Sequence, residues 1–232
     1  MTIAAKMKRS FSVDKVQKEY ARVAWFYDGW GRLTEDRALQ RLLQLAEVRD
    51  GSHILDVGVG TGRLFGQVVR ENPGGVNVGV DLSPAMLKHA RKRLAGMAAP
   101  GSWELQEGSA YELPFADASF DLLFSTFMLD MLPEEDYPRL LGEFRRVLKP
   151  GGRLCLAAFS FGTRPIHRLW YWLAKHFPSL LTQCRPVHLE PALRNAGFEI
   201  AHQEEVSQFT FPSQLILARR ENDHGRSEIN PH

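Results

Sequence analysis

"ILDVGVGTGRLFG", Ile54 to Gly66, decides the fold: an apolar run ends in glycine at every second position, Gly58, Gly60 and Gly62. A strand that breaks this way holds either a dinucleotide pyrophosphate or a ligand with no phosphate in the turn. The dinucleotide fingerprint G-x-G-x-x-G needs a third glycine for close packing of the following helix. Counted from Gly58 that place is Arg63, and from Gly60 it is Phe65, so neither frame fits. What remains is D-x-G-x-G-x-G, with Asp56 two residues ahead of the first glycine. A carboxylate there repels a pyrophosphate but accepts hydrogen bonds from a cationic amine. The stretch therefore points to an amino-acid-bearing cofactor such as S-adenosylmethionine and disfavours a dinucleotide-dependent oxidoreductase.

Outward from this turn, short Val/Ile/Leu/Phe runs alternate with helix-like segments, the pattern of a doubly wound α/β sheet. Strands are predicted at His53–Val57, Val76–Asp81, Ser102–Glu107, Phe120–Ser125, Gly152–Ala158 and Phe198–Glu205, and over part of Gln208–Ala218. The runs "HILDV", "VNVGVD" and "FDLLFS" are apolar with little alternation, as strands covered on both faces should be. "GEFRRVLKPGGRL" ends a helix at Lys149-Pro150 and turns on two glycines into the next strand. Residues up to about Glu47 read as helices. From Pro165 to Leu181, Ile166, Leu169, Trp170, Leu173, Ala174 and Phe177 draw one apolar helical face.

The 232 residues, 44% hydrophobic, suit one α/β domain over 1–220, with 1–47 as a helical cap, 160–190 as a lid insertion and 221–232 as a disordered tail. A net charge of +2 argues against a broad nucleic-acid surface. No signal-like or spanning apolar segment is present, so a cytoplasmic location is expected. Cys155 and Cys184 form no metal-spaced cluster with histidine, and no metal site is expected.

Ligands of such a sheet bind beyond the carboxyl ends of its strands. Strand two ends in Asp81, nineteen positions after Gly62, a separation that suits a carboxylate gripping ribose hydroxyls. Ser83 before Pro84 is the better helix cap, which leaves Asp81 free for that role. Strand three leads into Gly108-Ser109-Ala110, placed against the adenine, and strand four into "STFMLDMLP", Ser125 to Pro133, beside the methionine portion.

The chain resembles the class I S-adenosylmethionine-dependent methyltransferases, and within them the ubiquinone/menaquinone C-methyltransferase-related group. The resemblance runs from about Tyr20 to Phe198 and is carried by "LDVGVGTGRL", "VGVDLSPAML", "ELPFADASFDLLFS" and "EFRRVLKPGGRL". It implies a seven-stranded, mostly parallel sheet with one antiparallel strand near the C-terminus and a helical insertion after strand five. It also implies a glycine loop, Asp56, Gly58, Gly60 and Gly62, around the methionine and ribose. Asp81 is placed at the ribose with Leu82 and Met86 nearby, Ser109 and Ala110 at the adenine, and Tyr27-Asp28 in a segment that caps the cofactor. Two departures stand out. Family members usually carry Asp where this chain has Ser109, and many carry His-His or Arg-Asn where it has Asp130-Met131.

The expected activity is methyl transfer to a lipophilic or small organic acceptor, a quinol-like carbon or a heteroatom. A catalytically inactive scaffold is the alternative. A base is needed only for a protonated acceptor; Asp130 ranks first, with Tyr27 beside it, while His167 and His188 read better as packing or surface residues. Trp170, Tyr171, Trp172 and Phe177, next to Arg164, Arg168 and Lys175, either form a lid packed on its own core, line an apolar pocket, or rest on a membrane surface.

Overall fold

The computed structural model describes residue 29 and residues 31–97, 101–176 and 184–222. Seven strands, β1 (His53–Val57), β2 (Val76–Asp81), β3 (Glu104–Glu107), β4 (Phe120–Thr126), β5 (Leu148–Phe159), β6 (Phe198–Gln208) and β7 (Phe211–Arg220), form one sheet in the order β3-β2-β1-β4-β5-β7-β6. Strands β1 to β5 pair in parallel, and β7 runs antiparallel to both neighbours, β5 and β6. The expected single antiparallel strand is therefore β7, and β6 points the same way as β1 to β5.

Helices α1 (Asp36–Ala46), α2 (Arg63–Glu71), α3 (Pro84–Ala95), α4 (Tyr137–Val147), α5 (His167–His176) and α6 (Glu190–Asn195) cover the faces. Strand side chains alternate between them. Leu55, Val57, Leu123, Leu154 and Leu156 face α4, where Tyr137, Leu140, Leu141, Phe144 and Val147 form the buried stripe. Ile54, Leu122, Phe124, Cys155 and Ala157 face the other way, toward Ala38, Leu39, Leu42, Leu43 and Ala46 of α1.

The observed strand limits depart from the expected ones where loop chemistry intervenes. Strand β3 begins at Glu104 rather than Ser102, because the Ser102 hydroxyl donates to the Gly75 carbonyl and its own carbonyl accepts from Asn77. Strand β5 begins at Leu148, so "KPGG" is a bulge within the strand rather than a turn before it. Leu148 pairs with Phe120 and Arg153 with Leu122, and Gly151 takes a φ of 72°. The β6–β7 turn falls at Phe209-Thr210, inside the expected last strand. The expected insertion contains α5, while most of the proposed N-terminal cap and tail lies outside the described residues. Among the described residues, no helix is long and apolar enough to cross a membrane.

Candidate active site

The turn after β1 is fastened to the end of β2 by its own backbone. Gly58 and Val59 donate to the Val80 carbonyl at 2.8 and 3.0 Å, and Gly60 donates to Asp81 Oδ2 at 2.8 Å. Asp81 Oδ1 accepts from the Ser83 amide at 2.8 Å, so one carboxylate spans two loops. The turn needs glycine on two counts at Gly62: its φ is 74°, and a Cβ would stand 3.1 Å from the Cβ of Ala90 in α3. At Gly58, φ 77°, a Cβ would press on the Met128 side chain at 3.0 to 3.1 Å. Met128 also receives a weak contact from the Ser125 hydroxyl, 3.9 Å from its sulfur, and so links the end of β4 to the turn.

Asp56 lies in β1 just before the turn and is buried. Burial, and then the neighbouring Asp81, push its carboxyl up to about 8, and its Oδ1 has no hydrogen-bond partner. Burial also raises Asp81, opposed by the amides of Ser83 and Gly60. Two carboxyls at the neighbouring ends of β1 and β2, one with an idle oxygen, create a demand for positive charge and hydrogen-bond donors. S-adenosylmethionine fits that demand, with a cationic amine, a sulfonium and ribose hydroxyls; a pyrophosphate does not.

The remaining expected residues take up various places. Leu82 is half-buried beside Asp81, and Gly108 donates to the Asp81 carbonyl at 3.1 Å, which brings the β3 end to the same place. Ser109 accepts from the Tyr111 amide at 3.2 Å, and Ala110 packs against the core below. Ser125 is buried. Met86 is only 2% exposed, a core residue of α3 whose amide donates to the capping Ser83 hydroxyl. Tyr27 and Asp28 lie outside the described residues.

Asp130 was expected to take a proton from the acceptor, which requires reach. Its side chain instead has 0% exposure: Oδ2 accepts from the Phe159 amide at 2.9 Å and its carbonyl accepts from Arg185 at 3.0 Å, tying the end of β4 to that of β5. Burial pushes it up to about 7 against the Phe159 amide. His167 is buried, with Nδ1 accepting from the Arg164 amide, and the exposed His188 stacks on Phe161 at 4.6 Å; both are packing residues here.

Sequence reasoning missed Glu35, Arg63 and Met128. Glu35 is buried and raised to about 7, first by burial, while Arg63 counters this and Asp130 adds to it. Arg63 bridges Glu35 at 3.2 Å and also pairs with Asp36. The position of Arg63 inside the glycine motif was the available signal, since a cation there must find an anion. A separate polar cleft of about 620 Å³ lies between α1, β6 and the connector into α5, lined by Arg37, Arg41, Arg164, His167, Glu204 and Glu205, away from the glycine turn.

Comparison with known proteins bears on the family and the fold. Residues 54–152 match the family described as a methyltransferase domain. The chain is 31% identical over 185 residues to a demethylmenaquinone methyltransferase of Lactobacillus johnsonii, covering 77% of this chain and 75% of that protein. It is 39% identical over 125 residues to a ubiquinone/menaquinone biosynthesis C-methyltransferase of Pseudoalteromonas translucida, covering 53% of this chain and 47% of that one. In fold it is similar to the crystal structure of the [4+2]-cyclase SpnF, with a TM-score of 0.75 at 19% identity, covering 92% of this chain and 98% of the other.

Proposed function

Because the chain belongs to the class I S-adenosylmethionine-dependent methyltransferases, we propose that it methylates a lipophilic acceptor, a quinol-type carbon or a lipid heteroatom. The observation that carries this reading is the apolar surface beyond β5. Phe161, Leu169 and Trp172 are each more than two-fifths exposed, at the sheet end that also bears the glycine turn. The similarity to a demethylmenaquinone methyltransferase supports the same acceptor class.

In this proposal Asp56 takes the cationic amine, the amides around Gly58 to Gly62 line the methionine and ribose, and Asp81 accepts from the ribose hydroxyls with Leu82 and Met86 near it. Ser109 and Ala110 edge the adenine, and Ser125 and Met128 flank the methionine portion. Bound S-adenosylmethionine supplies a methyl group on a positively charged sulfur, a leaving group already activated. The chain's own contribution is then alignment and exclusion of water, and alignment alone is worth about 7–11 kcal/mol in the best-oriented cases. We assign Asp130 a positioning role, holding the ends of β4 and β5 together, while Tyr27 keeps the part in a cofactor cap that the family resemblance implies.

Calorimetric titration with S-adenosylmethionine, S-adenosylhomocysteine and NADH, followed by radiolabelled methyl transfer to quinols and lipids, tests the reading. Binding of both adenosyl ligands but not NADH, with label in a lipophilic product, is the expected outcome. Adenosyl binding with turnover only on water-soluble acceptors would overturn the acceptor class, and binding with no turnover on any acceptor would favour the scaffold alternative.

A further inference from the structure

The tip of the β6–β7 hairpin is built against local preference. Phe209 and Thr210 have φ of 46° and 66°, both left-handed. A two-residue hairpin turn of this kind is ordinarily made by asparagine and glycine. A bulky aromatic there costs about 1–2 kcal/mol, and Phe209 recovers little of it by packing, since it is 70% exposed. An aromatic that is strained and bare in the isolated chain finds its stabilisation elsewhere.

The hairpin tip does not stand alone. The Trp170 indole donates to the Thr210 hydroxyl at 3.0 Å, and its ring meets Phe211 edge-on at 5.3 Å, which fastens α5 beside the tip. Trp170 and Leu173 thus form the inward face of α5. Ile166, Leu169 and Trp172, 45%, 48% and 48% exposed and three residues apart, turn outward instead. Phe161, 41% exposed, continues the patch next to Tyr171.

Charge selects the occupant. The stretches "SFGTRPIHRLWYWLAKH", Ser160 to His176, and "VSQFTFPS", Val206 to Ser213, contain no acidic residue, while Arg164 and Arg168 are exposed among the apolar side chains. Glu205 between them is engaged within the fold, accepting from the Ser160 hydroxyl at 3.0 Å and from the Thr163 hydroxyl at 3.2 Å. Aromatic and aliphatic groups interleaved with arginines, with Glu205 held at their margin by Ser160 and Thr163, suit the interface of an anionic bilayer.

We propose that the connector before α5, the outer face of α5 and the Phe209 hairpin tip form one surface that rests on an anionic lipid bilayer. This rests on the lipophilic-acceptor reading and gives that acceptor its source. Because β6 runs parallel to β1, the surface lies at the sheet end that carries the glycine turn, so an acceptor leaving the bilayer meets the donor side of the protein.

Sedimentation of the full chain with vesicles of phosphatidylcholine, with or without phosphatidylglycerol, tests the surface. Binding to the phosphatidylglycerol vesicles, weakened by salt, is expected. Phe209→Gly should lower the partition coefficient about tenfold while raising the melting temperature, because glycine accepts the left-handed turn. That opposite pair of changes cannot come from misfolding. Leu169→Ser with Trp172→Ser should also weaken binding. Failure to bind either vesicle, or binding indifferent to these substitutions, would overturn the proposal. So would a dimer in sedimentation velocity that Phe209→Gly dissociates, since a second copy would then cover the patch. Methyl transfer to an acceptor in detergent micelles separates the two ideas. Turnover in micelles without vesicle binding removes the surface and keeps the acceptor class; vesicle binding without turnover on any lipophilic acceptor does the reverse.

Discussion

The turn after β1 and the hairpin tip after β6 both place residues in left-handed backbone, yet they use it differently. At Gly58, Gly60 and Gly62 the conformation carries no side-chain clash, and their amides donate to Val80, Asp81 and Val59 within the chain. At Phe209 and Thr210 the conformation is strained and the side chain it presents is bare. The first region is made by backbone, so its tolerances are tight and its ligand is fixed by the fold. The second is made by side chains, where substitution changes what is met outside with little cost within.

The largest break in this contrast should come from Gly62→Ala. The methyl group must enter at φ 74° and 3.1 Å from Ala90, so a loss of about 2–4 kcal/mol in urea unfolding is expected. Next, Asp81→Ala should weaken S-adenosylmethionine by about 1.5–3 kcal/mol in calorimetry, and unchanged affinity would remove Asp81 from the donor site.

Asp56 sharpens the comparison through protons. Its carboxyl is raised from 3.8 to about 8, so between those values the folded chain holds a proton that the unfolded chain lacks. Its contribution to stability therefore falls as pH rises through that window. A cationic ligand favours the ionised form, so binding near neutral pH should release about one proton, read as a dependence of binding enthalpy on buffer ionisation. Asp56→Asn should abolish that release. The smallest effect is expected at Trp172→Ala on the exposed side. Stability and cofactor affinity should stay within about 0.5 kcal/mol, while KM for a lipophilic acceptor rises several-fold.

The strands and turn that carry the proposed donor site were legible in the sequence because their determinants are local. A strand, a glycine at every second position and an acid at the next strand end are all read along the chain, and β1 and β2 fall at their expected limits. What escaped was long-range or geometric. Glu35 pairs with Arg63 across 28 positions, and although a cation in the glycine motif calls for an anion, nothing along the chain says which one. Asp130 looked like a reachable acid after a strand, and only the fold reveals that the Phe159 amide claims it. Phe209 fell inside an expected strand, since its apolar character hides the turn that its backbone makes.

The sheet order also has a temporal side. Strand β7 follows β6 in the chain yet sits between β5 and β6, making ladders with both. Until Phe211–Arg220 has been synthesised and inserted, β5 has an open edge and β6 has no neighbour in the sheet. The hairpin ladder of β7 with β6 is local, whereas its ladder with β5 is a late, long-range pairing. A nascent or nicked chain that lacks this strand would leave the β5 edge and the whole of β6 unpaired, a form prone to aggregation and to capture by chaperones.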